Sequence, residues 1–297
     1  MPILVTESLT RSYGRRRGID SLELSIPEGA LFGFLGPNGA GKTTTIRVLV
    51  GLLRPSAGSA RIFGLDCWRD SRSIKAEVGY LPGDLRLHSW MDGKGALRIW
   101  EKVRRRKLTL YGRELAQRFD LDLAVKVGRM SRGMRQKLGL ILALAHKPRL
   151  LILDEPTSTL DPLLQTAVHR LLREMAAAGH TVFFSSHTLG EVEHLCDRVA
   201  VIRDGRLVAN ESLDTLRLRA GHRVTIRWRD HAAASAEPPG FLKLEQANGL
   251  LWTGMLDGPV DQFIAWLAGR PIDDVSIGPP DLETLFRSYY ASQGSGS

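Results

Sequence analysis

The sequence predicts an α/β protein, a parallel sheet wrapped by helices, followed by a smaller α+β unit. Three observations predict it. Short β-branched or apolar runs alternate with longer helical patterns from the N-terminus to about Leu216. One of those runs, Ala30 to Leu35, leads straight into a glycine-rich loop. Beyond about Ala220 the pattern changes to short alternating strands separated by turn residues.

Met1 to Thr10 reads as the start of a strand, and Leu22 to Ile26 alternates like a half-buried one. Ala30 to Leu35 is apolar throughout apart from Gly33. Lys42 to Leu52 carries a helical pattern that Gly51 and Pro55 bring to an end. Gly58 to Phe63 and Val78 to Leu81 are short strands. Between about Trp90 and His146 no strand pattern appears. Apolar residues such as Ile99, Trp100, Val103, Leu115 and Phe119 favour helices there, so this stretch reads as a helical insertion. Strands resume at Leu150 to Leu153, Thr181 to Ser185 and Val199 to Ile202, with helices Pro162 to Ala178 and Leu189 to Leu195 between them.

In the last part, Val224 to Trp228 alternates, and Phe241 to Gln246 and Leu250 to Met255 flank the hairpin signal Asn248-Gly249. Ala232 to Gly240 reads as a loop, Gln262 to Leu267 as a helix, Val275 to Ile277 as a strand and Asp281 to Tyr289 as a closing helix. Val224, Ile226 and Trp228, with Phe263, Ile264 and Leu267, supply a core. The expected organisation is a domain over 1–220 with its helical subdomain at about 87–147, a C-terminal unit over 221–290, and a low-complexity tail over 291–297.

Composition excludes some classes. Apolar residues at 43% and charged residues at 25% are ordinary globular values and argue against disorder. Apolar stretches such as Leu138 to Ala145 fall short of the roughly 18 residues a spanning helix needs. No signal-peptide pattern opens the chain. Cys67 and Cys196 match no metal or redox spacing and read as free thiols. A soluble, cytoplasmic chain is expected. The net charge of +9 admits two readings, a nucleic-acid footprint or a surface working beside anionic headgroups or nucleotide. The dense runs, Arg15 to Arg17 and Arg104 to Lys107, lack interleaved aromatics and read as solvated faces.

The chemistry lies in two segments. Gly36, Pro37, Asn38, Gly39, Ala40, Gly41, Lys42 and Thr43 fit the phosphate-binding loop G-x-x-x-x-G-K-[ST], and Thr44 follows at the helix start. The glycines let backbone N–H groups turn inward around phosphates, and the helix adds its positive dipole end. Lys42 is the cation for the β- and γ-phosphates of ATP, and the Thr43 hydroxyl is a ligand for Mg²⁺. Leu150 to Leu153 buries a parallel strand whose carboxyl end presents Asp154 and Glu155, where open α/β sheets bind ligands. Asp154 is the second Mg²⁺ residue, and Glu155 is placed as general base toward the attacking water.

With these motifs the chain resembles the ATP-binding subunits of ABC transporters, over roughly Met1 to Leu216. Met130-Ser131-Arg132-Gly133-Met134 stands at the family's signature, retaining Ser131 and Gly133 and departing from it at Arg132 and Met134. Asp161 matches the D-loop, His187 the switch histidine, and Tyr13 the aromatic that stacks on adenine. After Gly79-Tyr80-Leu81-Pro82 the family usually has a glutamine near the metal; here Gly83-Asp84 follows, and either Asp84 or water takes that place.

The resemblance implies an ABC cassette with a mixed sheet and a helical subdomain. It implies that the signature of one subunit closes over the P-loop of another, with two Mg·ATP between a homodimer or a pair of homologous subunits. His187 joins Glu155 in the catalytic set, and Ser131, Gly133 and Asp161 join the nucleotide contacts. A separate integral-membrane permease is the further partner, which puts the chain on the inner face of the cell membrane. The C-terminal unit looks like that of exporters whose ATPase and permease are separate chains, with a drug, antibiotic or lipid-like substrate. The alternative, a soluble ABC ATPase acting on nucleic acid or ribosomes, usually carries two cassettes or long coiled-coil insertions. Neither is present, so no nucleic-acid partner is expected.

Overall fold

A computed structural model describes residues 2–14 and 16–291; Arg15 of the first arginine run and the tail 292–297 lie outside the described residues. The chain divides into two compact units, Met1–Asn210 and Glu211–Ser297, the division falling ahead of the change in pattern near Ala220.

The first unit opens with β1 (Pro2–Tyr13) and β2 (Arg16–Pro27), an antiparallel pair in which Leu4 faces Ile26 and Thr6 faces Leu24. The strand expected over 22–26 is the middle of a longer one. Its full length is masked in the sequence because the ladder shifts register between Thr6 and Arg11, and Ser8 and Ser21 take positive φ there, which breaks the period of two. There follow β3 (Leu31–Leu35), α1 (Lys42–Leu49), β4 (Ala57–Ile62), β5 (Leu65–Asp66), α2 (Ser71–Glu77) and β6 (Val78–Leu81). The helical insertion is α3 (Gly93–Arg104), α4 (Thr109–Arg118) and α5 (Arg132–Leu144), with no strand assigned between them. Asp92 caps α3 by accepting from the Gly95 N–H at 2.6 Å. The unit continues with β7 (Leu150–Asp154), α6 (Pro162–Ala177), β8 (Thr181–Ser186), α7 (Leu189–Leu195), β9 (Arg198–Arg203) and β10 (Arg206–Ser212).

Among the described residues these strands form an antiparallel sheet ordered β2-β1-β4-β5 and a six-stranded sheet ordered β10-β9-β3-β8-β7-β6. In the larger sheet β9, β3, β8, β7 and β6 run parallel. Every residue of β3, β7 and β8 is buried, which explains the apolar runs at their centres, such as Leu150 to Leu153 and Val182 to Phe184. Phe32 stacks on Phe183 across the sheet, with ring centroids 5.9 Å apart. Cys67 and Cys196 are free and buried, and burial pushes the Cys67 thiol up to about 12. Arg104 corrects one expectation. It is no solvated charge but donates to the carbonyls of Lys75, Ala76 and Val78, tying α3 to the end of α2.

The second unit contains α8 (Leu213–Arg219), β11 (His222–Trp228), α9 (His231–Ala234), β12 (Leu242–Asn248), β13 (Leu251–Leu256), α10 (Val260–Leu267), β14 (Ile272–Pro280) and α11 (Leu282–Ala291). Its antiparallel sheet is ordered β12-β13-β11-β14. Val224, Ile226 and Trp228 share the buried face, with Trp228 edge-on to Trp252 at 5.1 Å and Phe263 fully buried. Ile264, expected in this core, is 56% exposed, because α10 turns Phe263 and Leu267 inward instead. The hairpin turn also sits one residue late: Asn248 pairs with Leu251, so Gly249 at φ +59° and Leu250 form the loop. The loop expected over 232–240 contains the single turn α9, capped by Asp230.

Candidate active site

The order of the parallel strands brings the two chemical segments together. β8 lies between β3 and β7, and their carboxyl ends are in register: Leu35 pairs with Ser186, and Ser185 with Asp154. The P-loop leaves β3, the two acids leave β7, and His187 follows β8, so all three converge on one edge of the sheet.

The loop from Gly36 to Gly41 then wraps a cavity of about 400 Å³, lined by Tyr13, Gly18, Pro37, Asn38, Gly39, Gly41, Lys42, Thr43, Thr44 and Glu155. Gly41 at φ +111° starts α1 without any side-chain cap, so the first N–H groups of the helix are left for a ligand. A Cβ on Gly36 would lie 2.5 Å from the Ile202 carbonyl and one on Gly41 2.7 Å from that of Gly18, so close packing as well as turn geometry requires both glycines. Ala40 is buried behind the loop.

Lys42 is 5% exposed, and its Nζ donates to the Gly36 carbonyl at 2.6 Å and the Pro37 carbonyl at 3.2 Å. The same ammonium lies 3.2 Å from Glu155 Oε1, and the other carboxylate oxygen lies 3.4 Å from His187 Nδ1. Glu155 therefore bridges the P-loop lysine and the histidine. Its backbone takes φ +48°, a left-handed conformation unusual for a non-glycine residue, held by its N–H on Ser185 Oγ at 3.1 Å.

Asp154 is buried, and its Oδ1 accepts from Ser185 Oγ at 2.7 Å. Its Oδ2 is buried without a hydrogen-bond partner among the described residues. Gly83 leaves room there, since a Cβ on it would stand 3.4 Å from that oxygen. Burial and the Asp154 carboxylate push the neighbouring Tyr80 phenol up to about 12, so it stays protonated. An orphaned carboxylate oxygen together with the Thr43 hydroxyl, exposed in the cavity wall, fits Mg²⁺, which is held by few protein oxygens and by substrate phosphates. Asp84, offered above for the missing glutamine, is exposed and ion-paired with Arg86 at 2.8 Å.

Ser131, Gly133 and Asp161 are not among the residues lining this cavity. Ser131 caps α5, its Oγ accepting from the Met134 N–H at 3.2 Å. Asp161 caps α6, accepting from the Leu164 N–H at 2.9 Å. Both belong to one neighbourhood, because a Cβ on Gly133 would stand 3.4 Å from the Thr159 carbonyl and the buried Gln136 amide donates to the Pro156 carbonyl at 3.0 Å. The sequence reading missed Ser185, which orients Asp154 and the Glu155 backbone at once, although two serines ending a buried strand signal polar work there. It also missed Gly18, which enters the cavity wall from the β1–β2 hairpin.

A protein-family model described as ABC transporter matches residues 19–158. The chain is 37% identical to a bacitracin transport ATP-binding protein of Bacillus licheniformis over 73% of this chain and 72% of that one. It is 32% identical to the daunorubicin resistance ATP-binding protein DrrA3 of Streptomyces coeruleorubidus over 95% and 94% of the two chains. A solved ATP-binding subunit of an ABC transporter superposes with a TM-score of 0.68 at 28% identity, over 72% of this chain and 92% of that one. A dimeric ATP-binding cassette bound to ADP and phosphate shares the fold, with a TM-score of 0.63 at 21% identity over 71% and 98%. By family model, relatives and fold alike, the chain belongs to the ABC transporters, as one of their ATP-binding, ATP-hydrolysing subunits.

Proposed function

We propose that two copies of this chain, or one copy and a homologue, close on two Mg·ATP and power export of a drug, antibiotic or lipid-like substrate through a separate membrane permease. The observation that carries the reading is the bridge from Lys42 through Glu155 to His187 at the cavity mouth. In this arrangement the lysine's carboxylate partner stands where nucleotide phosphates would reach the ammonium. Phosphates arriving in the P-loop displace Glu155 from Lys42, and the freed carboxylate takes a proton from the attacking water while His187 holds the phosphate side. Asp154 Oδ2 and Thr43 Oγ1 would hold Mg²⁺, whose charge would offset that of the phosphate oxygens. Tyr13 gives the adenine a stacking face at the cavity rim, where it is 44% exposed.

Dimerisation is supported by the position of Ser131 and Gly133 outside the cavity, on a helix whose N-terminus suits a phosphate from another copy. A subunit working with a separate permease sits on the inner membrane face; among the described residues no helix is long and apolar enough to cross a membrane. The transport and resistance names of the relatives support the substrate class. Glu155→Gln tests the reading. It should still bind ATP, lose about 10²–10⁴-fold in hydrolysis, and elute as a dimer with ATP in size-exclusion chromatography. A strict monomer at high protein and ATP concentrations would overturn it.

A further inference from the structure

We propose that Arg11 is a positioning residue for the nucleotide base, acting through Tyr13; the inference rests on the reading of Tyr13 as the adenine platform. Arg11 and Tyr13 are two apart on β1 and so project to the same face of the sheet. The Arg11 guanidinium carbon stands over the Tyr13 ring, 5.0 Å from its centroid. Arg11 Nε is buried with no hydrogen-bond partner among the described residues. The other side is anchored: Nη1 donates to the Arg54 carbonyl at 2.9 Å.

That anchor matters because Arg54 lies just past α1, the helix whose first turn forms the cavity floor. The neighbouring bonds repeat the tie, from the Ser56 N–H to the Thr10 carbonyl at 2.8 Å and from the Ser12 N–H to Ser56 Oγ at 3.1 Å. The platform and the phosphate cradle are thus held at one spacing, as a nucleotide needs for its base and phosphates to dock together. Arg11 itself does not line the cavity, whereas Tyr13 does. One ring face is therefore taken by the guanidinium, and the ring cannot swing toward it to leave the base unstacked. On the cavity side Gly18 keeps clearance, since a Cβ there would stand 2.8 Å from Tyr13 Cε2.

The test is a double-mutant cycle on the full chain, reading the Kd for Mg·ADP by calorimetry together with kcat and the melting temperature. Tyr13→Ala should weaken ADP about tenfold through loss of stacking. Arg11→Ala should weaken it about three- to fivefold, with a smaller change in kcat at saturating ATP and a melting temperature that shows the variant folded, and Arg11→Lys should recover part of the loss. The double variant should bind no more weakly than Tyr13→Ala alone. Losses that multiply in the double variant, or an Arg11→Ala variant that binds like wild type, would overturn the role of Arg11 while leaving Tyr13 as the platform. A Tyr13→Ala variant with unchanged Kd would overturn the platform reading and the inference with it.

Discussion

Helices α1 and α5 begin alike and end in opposite states. α1 follows a left-handed Gly41 and α5 an extended Ser131, yet each has a basic residue in its first turn, Lys42 and Arg132, and no acidic one. α1 has no side-chain cap, and its open first turn faces a cavity built by its own unit. α5 is closed on itself by Ser131, with Ser131 and Arg132 at the surface, and neither lines the cavity at α1. A positive helix end next to arginines is unfavourable by about 0.3–1 kcal/mol until an anion arrives. One helix opens onto a cavity of its own unit; the other has the same positive end, and its Ser131 and Gly133 do not line that cavity.

The largest effect is expected when the charge at the start of α1 is removed. Lys42→Ala leaves the loop but takes away the only lysine among the described residues that line the cavity. ATPase activity should fall by about 10³-fold or more, to the limit of a phosphate-release assay. Near-wild-type turnover would mean that the loop alone does the work of α1.

A smaller effect is expected at the start of α5. Ser131→Arg removes the cap and places a bulky cation over the first turn of α5, and kcat should drop about 10–100-fold. Arg132→Gly leaves the Ser131 cap and the backbone N–H groups in place, so its kcat should stay within about threefold of wild type. An equal or greater loss in the Arg132 variant would show that the guanidinium, rather than the backbone, meets the phosphate.

The smallest effect concerns the far end of α5, which runs into the buried His146. Burial, with the charge of Arg104 adding to it, lowers this imidazole from its ordinary 6.5 to about 3, so the native state keeps it neutral. The unfolded chain then takes up the proton first, and stability is lost as pH falls from about 6.5 toward 3. Between about pH 7 and pH 5 this group alone removes about 2 kcal/mol. In urea unfolding at both pH values, His146→Leu should lose about that much less than wild type; parallel losses would remove His146 as the cause.

The same contrast explains how much could be read without coordinates. The P-loop and the acid pair were legible because strands buried on both faces leave unbroken apolar runs with chemistry at their carboxyl ends, as at Leu150 to Asp154. The signature and D-loop were legible only through resemblance. Physically Ser131 and Asp161 look like ordinary helix caps, and capping is the contact each makes within its own chain. Gly18 left no signal of its own, since its contacts with Tyr13 and Thr44 depend on how the hairpin folds, and Ser185 left only the polar end of a buried strand, since its partners Asp154 and Glu155 lie about thirty residues away. β10 and α8 were missed because their exposed charges, such as Arg206 and Arg217, blur any period. Ile264 was misplaced because adjacent apolar residues on a short helix do not say which of them turns inward.

The left-handed backbone at Glu155 has one more consequence. A residue with a Cβ pays about 1–2 kcal/mol to stand in that conformation, and glycine does not. Under the proposed role of Glu155 as general base, folding and turnover pull this position in opposite directions, since a glycine relaxes the turn but lacks the carboxylate. Selection of this protein for a relaxed turn alone would favour glycine at 155, at the loss of the Lys42 ion pair and, on that reading, of hydrolysis.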